Sequence, residues 1–449
     1  MPLPIQLMQS LENVAGFERE TFEEVHTSGQ QVTSIRLNPW KPIADVQYSM
    51  SAIPWCPYGR YLSHRPSFTL DPLFHAGAYY VQEASSMFLW HALKQTVGSD
   101  SGKKVLDLCA APGGKSTLLA SYFTDGLVVA NEVIKSRAAV LVENITKWGS
   151  DNVIVTNNDP SHFQSLPGYF DLMVIDAPCS GSGLFRKDPG AIDEWSLDNV
   201  QLCSQRQQRI LADALPALKE NGILIYSTCS YSVEEDETIS DWLVQEMDME
   251  SRKLNTDPAW NIVETSSPVA QAAGYRFYPD KIKGEGFFIA VFQKKAITNE
   301  KRLKEQILHF PSKQELQLLH AFITIPENFA LFSQSESIRA IKKEWINSLQ
   351  VLAQCLYIKK AGIEIGTIKG KDMIPAHELA VSVLPKDFSS IPLTPEQALQ
   401  YLRRKELLID NAPKGWNLVS YGGLPLGWIK VLPNRVNNYY PAEWRILKE

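Results

Sequence analysis

Cysteine is sparse in this sequence and never clustered. Six thiols (Cys56, Cys109, Cys179, Cys203, Cys229 and Cys355) are spread through 449 residues, and the nearest two, Cys179 and Cys203, stand 24 positions apart. No C-x-x-C pair exists, which argues against a zinc knuckle or a short-spaced disulfide framework. The eight histidines are equally scattered, so no metal is expected. Unpaired thiols in a large chain suit a reducing cytosol, and a cytoplasmic location is expected. Long apolar runs are missing too: none approaches the roughly 18 residues that span a bilayer. The opening MPLPIQLMQSLENV has no basic stretch of the kind that begins an export signal. Neither a membrane partner nor a signal peptide is expected. Internal repeats and low-complexity tracts are also lacking, which excludes solenoid and fibrous architectures.

Excess positive charge is absent overall, since the chain carries a net −6. Its distribution is uneven. Residues 1–296 hold 24 Lys and Arg against 35 Asp and Glu, whereas residues 297–449 hold 20 against 15. A phosphate-binding surface is a local property, so the basic C-terminal third is where a nucleic acid is expected to dock; a merely solvated charged face is the alternative. With 44% hydrophobic and 21% charged residues, the composition is that of ordinary globular protein, and the length calls for more than one domain.

Residues 1–95 read as an N-terminal module: a helical opening, a proline-punctuated aromatic region (WKPIADVQYSMSAIPWCPYGRYL), then helical spacing over 80–95. Across 96–296 the rhythm changes. Short apolar runs, KVLDLCA, LVVANEV, NVIVTNND, FDLMVIDAP and GILIYSTCS, alternate with helical stretches such as SRAAVLVENITKWG. That alternation predicts an α/β domain with a mostly parallel sheet. Gly222 suits a helix stop, and Ser232 with Glu235 fits a capping box. Residues 297–385 read as an accessory α/β region opening on a charged stretch, NEKRLKEQ. In 386–449, Thr394 and Pro395 mark a helix start, and the glycine-turned ending predicts a small β-rich barrel.

The chemistry-bearing residues fall where the predicted strands end, and in open parallel sheets ligands bind outside those carboxyl ends. Asp107 closes the first strand, followed by Cys109, Ala110, Ala111, Pro112, Gly113, Gly114 and Lys115. Glycines there let backbone approach a ligand, and the next helix offers its N-terminus. Glu132 ends the second strand, where an acid can accept from both ribose hydroxyls; Asp159 ends the third and Asp176 the fourth. Any one of these acids alone reads as a turn residue or a helix cap, but four on one edge would repel one another unless ligands engage them. A phosphate-binding loop of nucleotidases is the near alternative for CAAPGGKS, but Cys109 stands where its first glycine belongs.

Two thiols complete the edge: Cys179 in Asp176-Ala-Pro-Cys-Ser-Gly181 and Cys229 in Ser227-Thr-Cys-Ser-Tyr231. A pair of small buried hydrophobes is the bland alternative. A thiolate beside a methyl donor suits methylation of carbon 5 of cytosine. That carbon becomes nucleophilic only after a thiolate adds at carbon 6, and the base must first be unstacked. Asp176 is placed to hold the pyrimidine as well as the cofactor. An N6-adenine methyltransferase wants an aromatic residue where Cys179 stands; an RNA-binding assembly factor without turnover is a further alternative, against which both cysteines and all four acids argue. The residues alone do not order the two cysteines.

At these motifs the chain resembles the RsmB/RsmF-type RNA 5-methylcytosine methyltransferases, and within them the F group of small-subunit ribosomal RNA enzymes. Residues 75–295 carry the resemblance, with HAGAYYVQEASSM (75–87) similar to the segment entering the family's catalytic domain. The ending GLPLGWIKVLPNRVNNYYPAEWRI looks like that group's PUA-like RNA-binding domain. The resemblance implies a Rossmann-like class I methyltransferase sheet, S-adenosylmethionine as cofactor, and RNA as partner, 16S rRNA or the small ribosomal subunit. It implies cofactor contacts at Cys109 through Lys115, Glu132, Asp159 and Asp176. It also implies that Cys229 is the nucleophile and that Cys179 assists product release.

Overall fold

Side chains buried on alternate faces define the central sheet of this computed structural model, which describes residues 2–43, 48–98, 102–297, 303–386, 388–409 and 412–448. Leu106, Val129, Ile154, Met173 and Leu224 enter one apolar cluster, while their neighbours Val105, Val128, Val153, Leu172 and Ile223 enter another. A strand apolar on both faces must be covered on both, which is why helices flank it.

The sheet has ten strands: β1 (Lys104–Asp107), β2 (Leu127–Asn131), β3 (Val153–Thr156), β4 (Phe170–Asp176), β5 (Leu218–Thr228), β6 (Met249–Ser251), β7 (Val263–Ser266), β8 (Ala273–Phe277), β9 (Phe287–Lys294) and β10 (Ile358–Ala361). Their order is β7-β8-β9-β5-β4-β1-β2-β3-β10, with β6 on β9. Strands β5, β4, β1, β2 and β3 run parallel, and the others attach antiparallel. The chain steps outward from β1 to β3, then returns to place β4 on the opposite side of β1. This is the switch point at which a doubly wound sheet opens a crevice. Helices α1 (Gly114–Tyr122), α2 (Lys135–Trp148), α3 (Leu197–Ala214) and α4 (Glu237–Glu246) connect or cover the strands. The mostly parallel α/β sheet expected from the strand rhythm, and Rossmann-like as the resemblance implied, is the one present.

The N-terminal module folds around a four-stranded sheet of Ser49–Ile53, Cys56–Leu62, Thr33–Leu37 and Tyr79–Val81. Residues 80–95, expected to be helical throughout, split into the end of that strand, a short turn Ser85–Phe88 and a helix Leu89–Thr96. Leu89, Ala92 and Leu93 of that helix join the apolar cluster on one face of the central sheet, so the module is fused to that sheet. Beyond the core, residues 299–302 of the expected charged segment lie outside the described residues. The accessory region has its own four-stranded sheet, yet it also gives β10 to the central one, paired along β3. The C-terminal region starts with the expected Thr394 cap, whose side chain accepts from the Gln397 amide, and Pro395 opens the helix Pro395–Leu402. Its strands form a four-stranded mixed sheet with a Gly422-Gly423 turn, in place of the barrel expected. The wholly buried Trp428 packs with Leu319, Leu379 and Leu384, so this region shares a core with residues 313–384.

Two local expectations are corrected. The helix before β5 ends at Ala214, and Gly222 lies inside the strand; Pro216 follows within two residues of the helix end, and Pro cannot continue an α-helix. The Ser232–Glu235 capping box is not made, because the Ser232 side chain accepts no cap bond and Glu235 is turned inward, wholly buried.

Candidate active site

At the switch point, β1 ends on Asp107 and β4 on Asp176. Asp107 is completely buried; Ser116 Oγ donates to its Oδ2 at 2.6 Å, while Oδ1 has no protein partner. Burial pushes its carboxyl up to about 7, against the pull of the Ser116 bond and Lys115. The loop after β1 turns through Gly113 at φ +115°, a left-handed conformation that a side chain rarely adopts, and α1 starts at once. That turn brings Lys115 Nζ to 2.8 Å from Asp176 Oδ2, and Ser227 Oγ at the end of β5 donates to Asp176 Oδ1 at 2.8 Å.

These residues floor a cleft of about 190 Å³ lined by Cys109–Pro112, Gly114, Lys115 and Asp176 on one side and Tyr80–Glu83 with Ser86 on the other. Sequence reasoning assigned no role to the second wall, although its residues lie in the segment HAGAYYVQEASSM that carried part of the resemblance. A larger cleft of about 440 Å³ lies between the N-terminal sheet and the C-terminal region, and none of the expected site residues lines it. Cys109 sits among Asp107, Glu132 and Asp176; burial first, and then those carboxylates, push its thiol up. Glu132 is 3% exposed and accepts from the Ile134 amide at 2.9 Å, with Arg137 3.7 Å from its other oxygen. Asp159 accepts from both the Ser161 amide at 3.0 Å and Ser161 Oγ at 2.7 Å, capping the turn Pro160–Ser165. Those bonds hold its carboxyl below the usual range. Neither Glu132 nor Asp159 lines the cleft, so the four acids expected on one edge divide into an inner pair and two further along the rim.

The two thiols do meet. Cys179 Sγ and Cys229 Sγ are 2.9 Å apart, both half-buried and both free. The approach of their loops depends on Gly183, whose amide donates to the Cys229 carbonyl at 2.9 Å. A Cβ there would lie 2.8 Å from that oxygen and 2.6 Å from the Gly286 carbonyl. The Cys179 thiol is pushed well up, first by its contact with Cys229 and then by burial. Beneath the loops, Arg276 is buried against Asp236 and Glu237, and Thr228 Oγ1 donates to Asp236 at 2.6 Å, which fixes the end of β5. Among the described residues no cluster of His, Cys, Asp and Glu has a geometry suited to a metal ion, and no helix is long and apolar enough to cross a membrane.

Comparisons with known proteins agree along the length of the chain. Residues 3–84 match the N-terminal domain of 16S rRNA methyltransferase RsmF, residues 95–293 match 16S rRNA methyltransferase RsmB/F, and residues 388–446 match the methyltransferase RsmF PUA domain. The ribosomal RNA small subunit methyltransferase F of Aliivibrio salmonicida is 31% identical, with 90% of this chain and 87% of that protein covered. That of Psychromonas ingrahamii is 32% identical, covering 88% and 85%. Among solved structures, a methyltransferase homolog protein from Pyrococcus horikoshii is 30% identical with a TM-score of 0.52, covering 65% of this chain and 100% of that one. NSun6 from Pyrococcus horikoshii, solved with SFG, is 19% identical and shares the fold at a TM-score of 0.54, covering 65% and 98%. The chain belongs to the RsmB/F family of 16S rRNA methyltransferases and carries the N-terminal and PUA domains of its RsmF members.

Proposed function

We propose that this protein methylates carbon 5 of a cytosine in 16S rRNA, in the cytoplasm, with S-adenosylmethionine as donor and Cys229 as the nucleophile. The observation that carries this reading is the pair of sulfur atoms 2.9 Å apart at the switch-point rim, beside Asp176 and the cleft.

The residues present fit the cofactor. Cys109, Ala110, Ala111, Pro112, Gly113, Gly114 and Lys115 form the glycine-turned loop leading into α1, and the unpartnered Asp107 oxygen and the acids Glu132, Asp159 and Asp176 suit a positively charged ligand with ribose hydroxyls. When bound, S-adenosylmethionine supplies an electrophilic methyl group. The rest of the work falls to protein side chains. Cys229 is the sulfur that attacks, with Cys179 in contact beside it. Its thiolate adds to carbon 6 of the extruded pyrimidine, forming a carbon–sulfur bond and making carbon 5 electron-rich. Asp176, held by Lys115 and Ser227, accepts from the exocyclic amine. After methyl transfer the carbon 5 proton leaves to a base, the carbon–sulfur bond breaks, and Cys229 is restored as a thiolate. Cys179 stands next to the bond that must break, which supports its assignment to release.

The substrate is tested by incubating the purified protein with radiolabelled S-adenosylmethionine and rRNA from a strain lacking its gene, then mapping the product by bisulfite sequencing. Label in 5-methylcytosine of 16S rRNA is the expected result. Label in another base, or none on a competent rRNA, overturns the reading.

A further inference from the structure

Glu235 lies six residues beyond Cys229, in the capping-box pattern that the structure does not make. It is completely buried, and its carboxylate meets four donors. Ser180 donates through its amide at 2.8 Å and its hydroxyl at 2.5 Å; Ser230 Oγ donates at 2.6 Å; Gln207 Nε2 donates at 3.1 Å and also reaches the Pro178 carbonyl at 3.1 Å. Ser180 directly follows Cys179, and Ser230 directly follows Cys229. One carboxylate thus bonds to the neighbour of each sulfur-bearing residue, and through Gln207 to the residue before Cys179. A buried acid without a counter-ion is costly, and a helix cap could have been made in water without that cost. Four donors on two oxygens fill the accepting capacity of an ionised carboxylate and leave none for a cap.

We propose that Glu235 is the positioning residue of the two-thiol centre, fixing the loops of Cys179 and Cys229 in the register that brings sulfur to sulfur. This inference rests on the thiol roles proposed above. Its charge has a second effect. The titratable groups facing it are Cys179 and Cys203, Tyr226 on β5 and its own neighbour Asp236, and its negative charge raises all four. Burial raises Glu235 itself, while its Ser180, Ser230 and Gln207 bonds work against that rise. The ionised form therefore raises the Cys179 thiol while its hydrogen bonds fix the two loops.

The test is Glu235→Gln in the full-length protein. The amide is isosteric, but its nitrogen must donate where Ser180 or Ser230 already donates. Turnover is expected to fall by about a hundredfold, the order of loss that a reacting atom misplaced by about 1 Å produces. Affinity for S-adenosylmethionine should stay unchanged, because none of the four bonds reaches the cleft. The pH profile of Cys179 alkylation by iodoacetamide, read by mass spectrometry, should move to lower pH. A purely structural residue would not produce that shift. Ser180→Ala combined with Ser230→Ala keeps the charge and removes two donors. It should lower turnover while leaving the Cys179 profile nearer that of the wild type, and it decides the matter if Glu235→Gln does not fold. Unchanged turnover and an unchanged alkylation profile in the folded variants overturn the proposal. Methyl transfer that survives Cys229→Ala overturns the thiol reading itself; loss of transfer in Cys229→Ala beside full activity in the Glu235 variants overturns this inference alone.

Discussion

Asp107→Asn should trade cofactor binding for stability in a way that depends on pH. Asp107 is fully buried with one oxygen unpartnered, and its carboxyl is pushed up to about 7 from 3.8. An acid whose folded value is raised opposes folding as pH rises. The unfolded chain gives up its proton near 3.8, the folded one only near 7, and the cost is complete above the folded value. Each unit is worth about 1.4 kcal/mol, so burying this carboxyl costs about 4 kcal/mol at about pH 8, where it is ionised in the fold, and about 1.5 kcal/mol at about pH 5, where it is protonated there but not in the unfolded chain. Asparagine does not titrate. Its unpaired amide adds a penalty of about 1–3 kcal/mol, but the same penalty at both pH values. Relative to wild type, the variant should therefore gain about 3 kcal/mol of unfolding free energy between about pH 5 and about pH 8. Urea denaturation of the cofactor-free proteins at the two pH values measures that double difference, and every titration the two proteins share cancels. Calorimetry at about pH 8 should show weaker binding of S-adenosylmethionine by the variant, because the negative charge that suits a cationic ligand is gone. A stability gap that stays the same at the two pH values would refute the burial argument, whatever the binding data show.

The remaining predictions concern chemistry and RNA. Cys229→Ala should abolish methyl transfer while calorimetry still shows cofactor binding, since neither thiol lines the cleft; substantial residual turnover refutes the nucleophile assignment. Cys179→Ala should accumulate a covalent RNA–protein adduct that survives a denaturing gel, and its absence on a competent substrate refutes the division of roles. Truncating the C-terminal region would remove Trp428 from the core it shares with Leu319, Leu379 and Leu384, so charge reversal is the cleaner probe of RNA binding. Changing Lys405, Lys414 and Lys430 to Glu should weaken RNA binding and reduce its logarithmic salt slope by about one for each phosphate no longer neutralised. Unchanged affinity and slope in a filter-binding titration would place the RNA surface elsewhere.

Much of the architecture was legible because it is periodic or local. The runs ending in Asp107, Glu132, Asp159 and Asp176 announced parallel strands, and the rule that ligands sit beyond their carboxyl ends put both thiols on the same rim before any coordinates. Thr394 and Pro395 marked a helix start that the structure reproduces, because a cap involves only residues three apart. Errors came where local and distant partners compete. Glu235 has the spacing of a capping box, but Ser180, 55 residues away, and Gln207 take its carboxylate instead. Gly222 has the look of a helix stop, but Pro216 had already ended the helix at Ala214.

The sequence by itself determined the fold class, the family, and which side chains were candidates for the chemistry, because strand period, turn residues and motif spacing are written along one dimension. Only the tertiary structure decided how those groups stand toward one another. Two sulfur atoms 50 residues apart came to 2.9 Å, and a strand from the accessory region closed the sheet beside β3. The N-terminal segment Tyr80–Glu83 became a wall of the cleft. Each of these depends on packing between distant segments, and no local pattern encodes a distance across the chain.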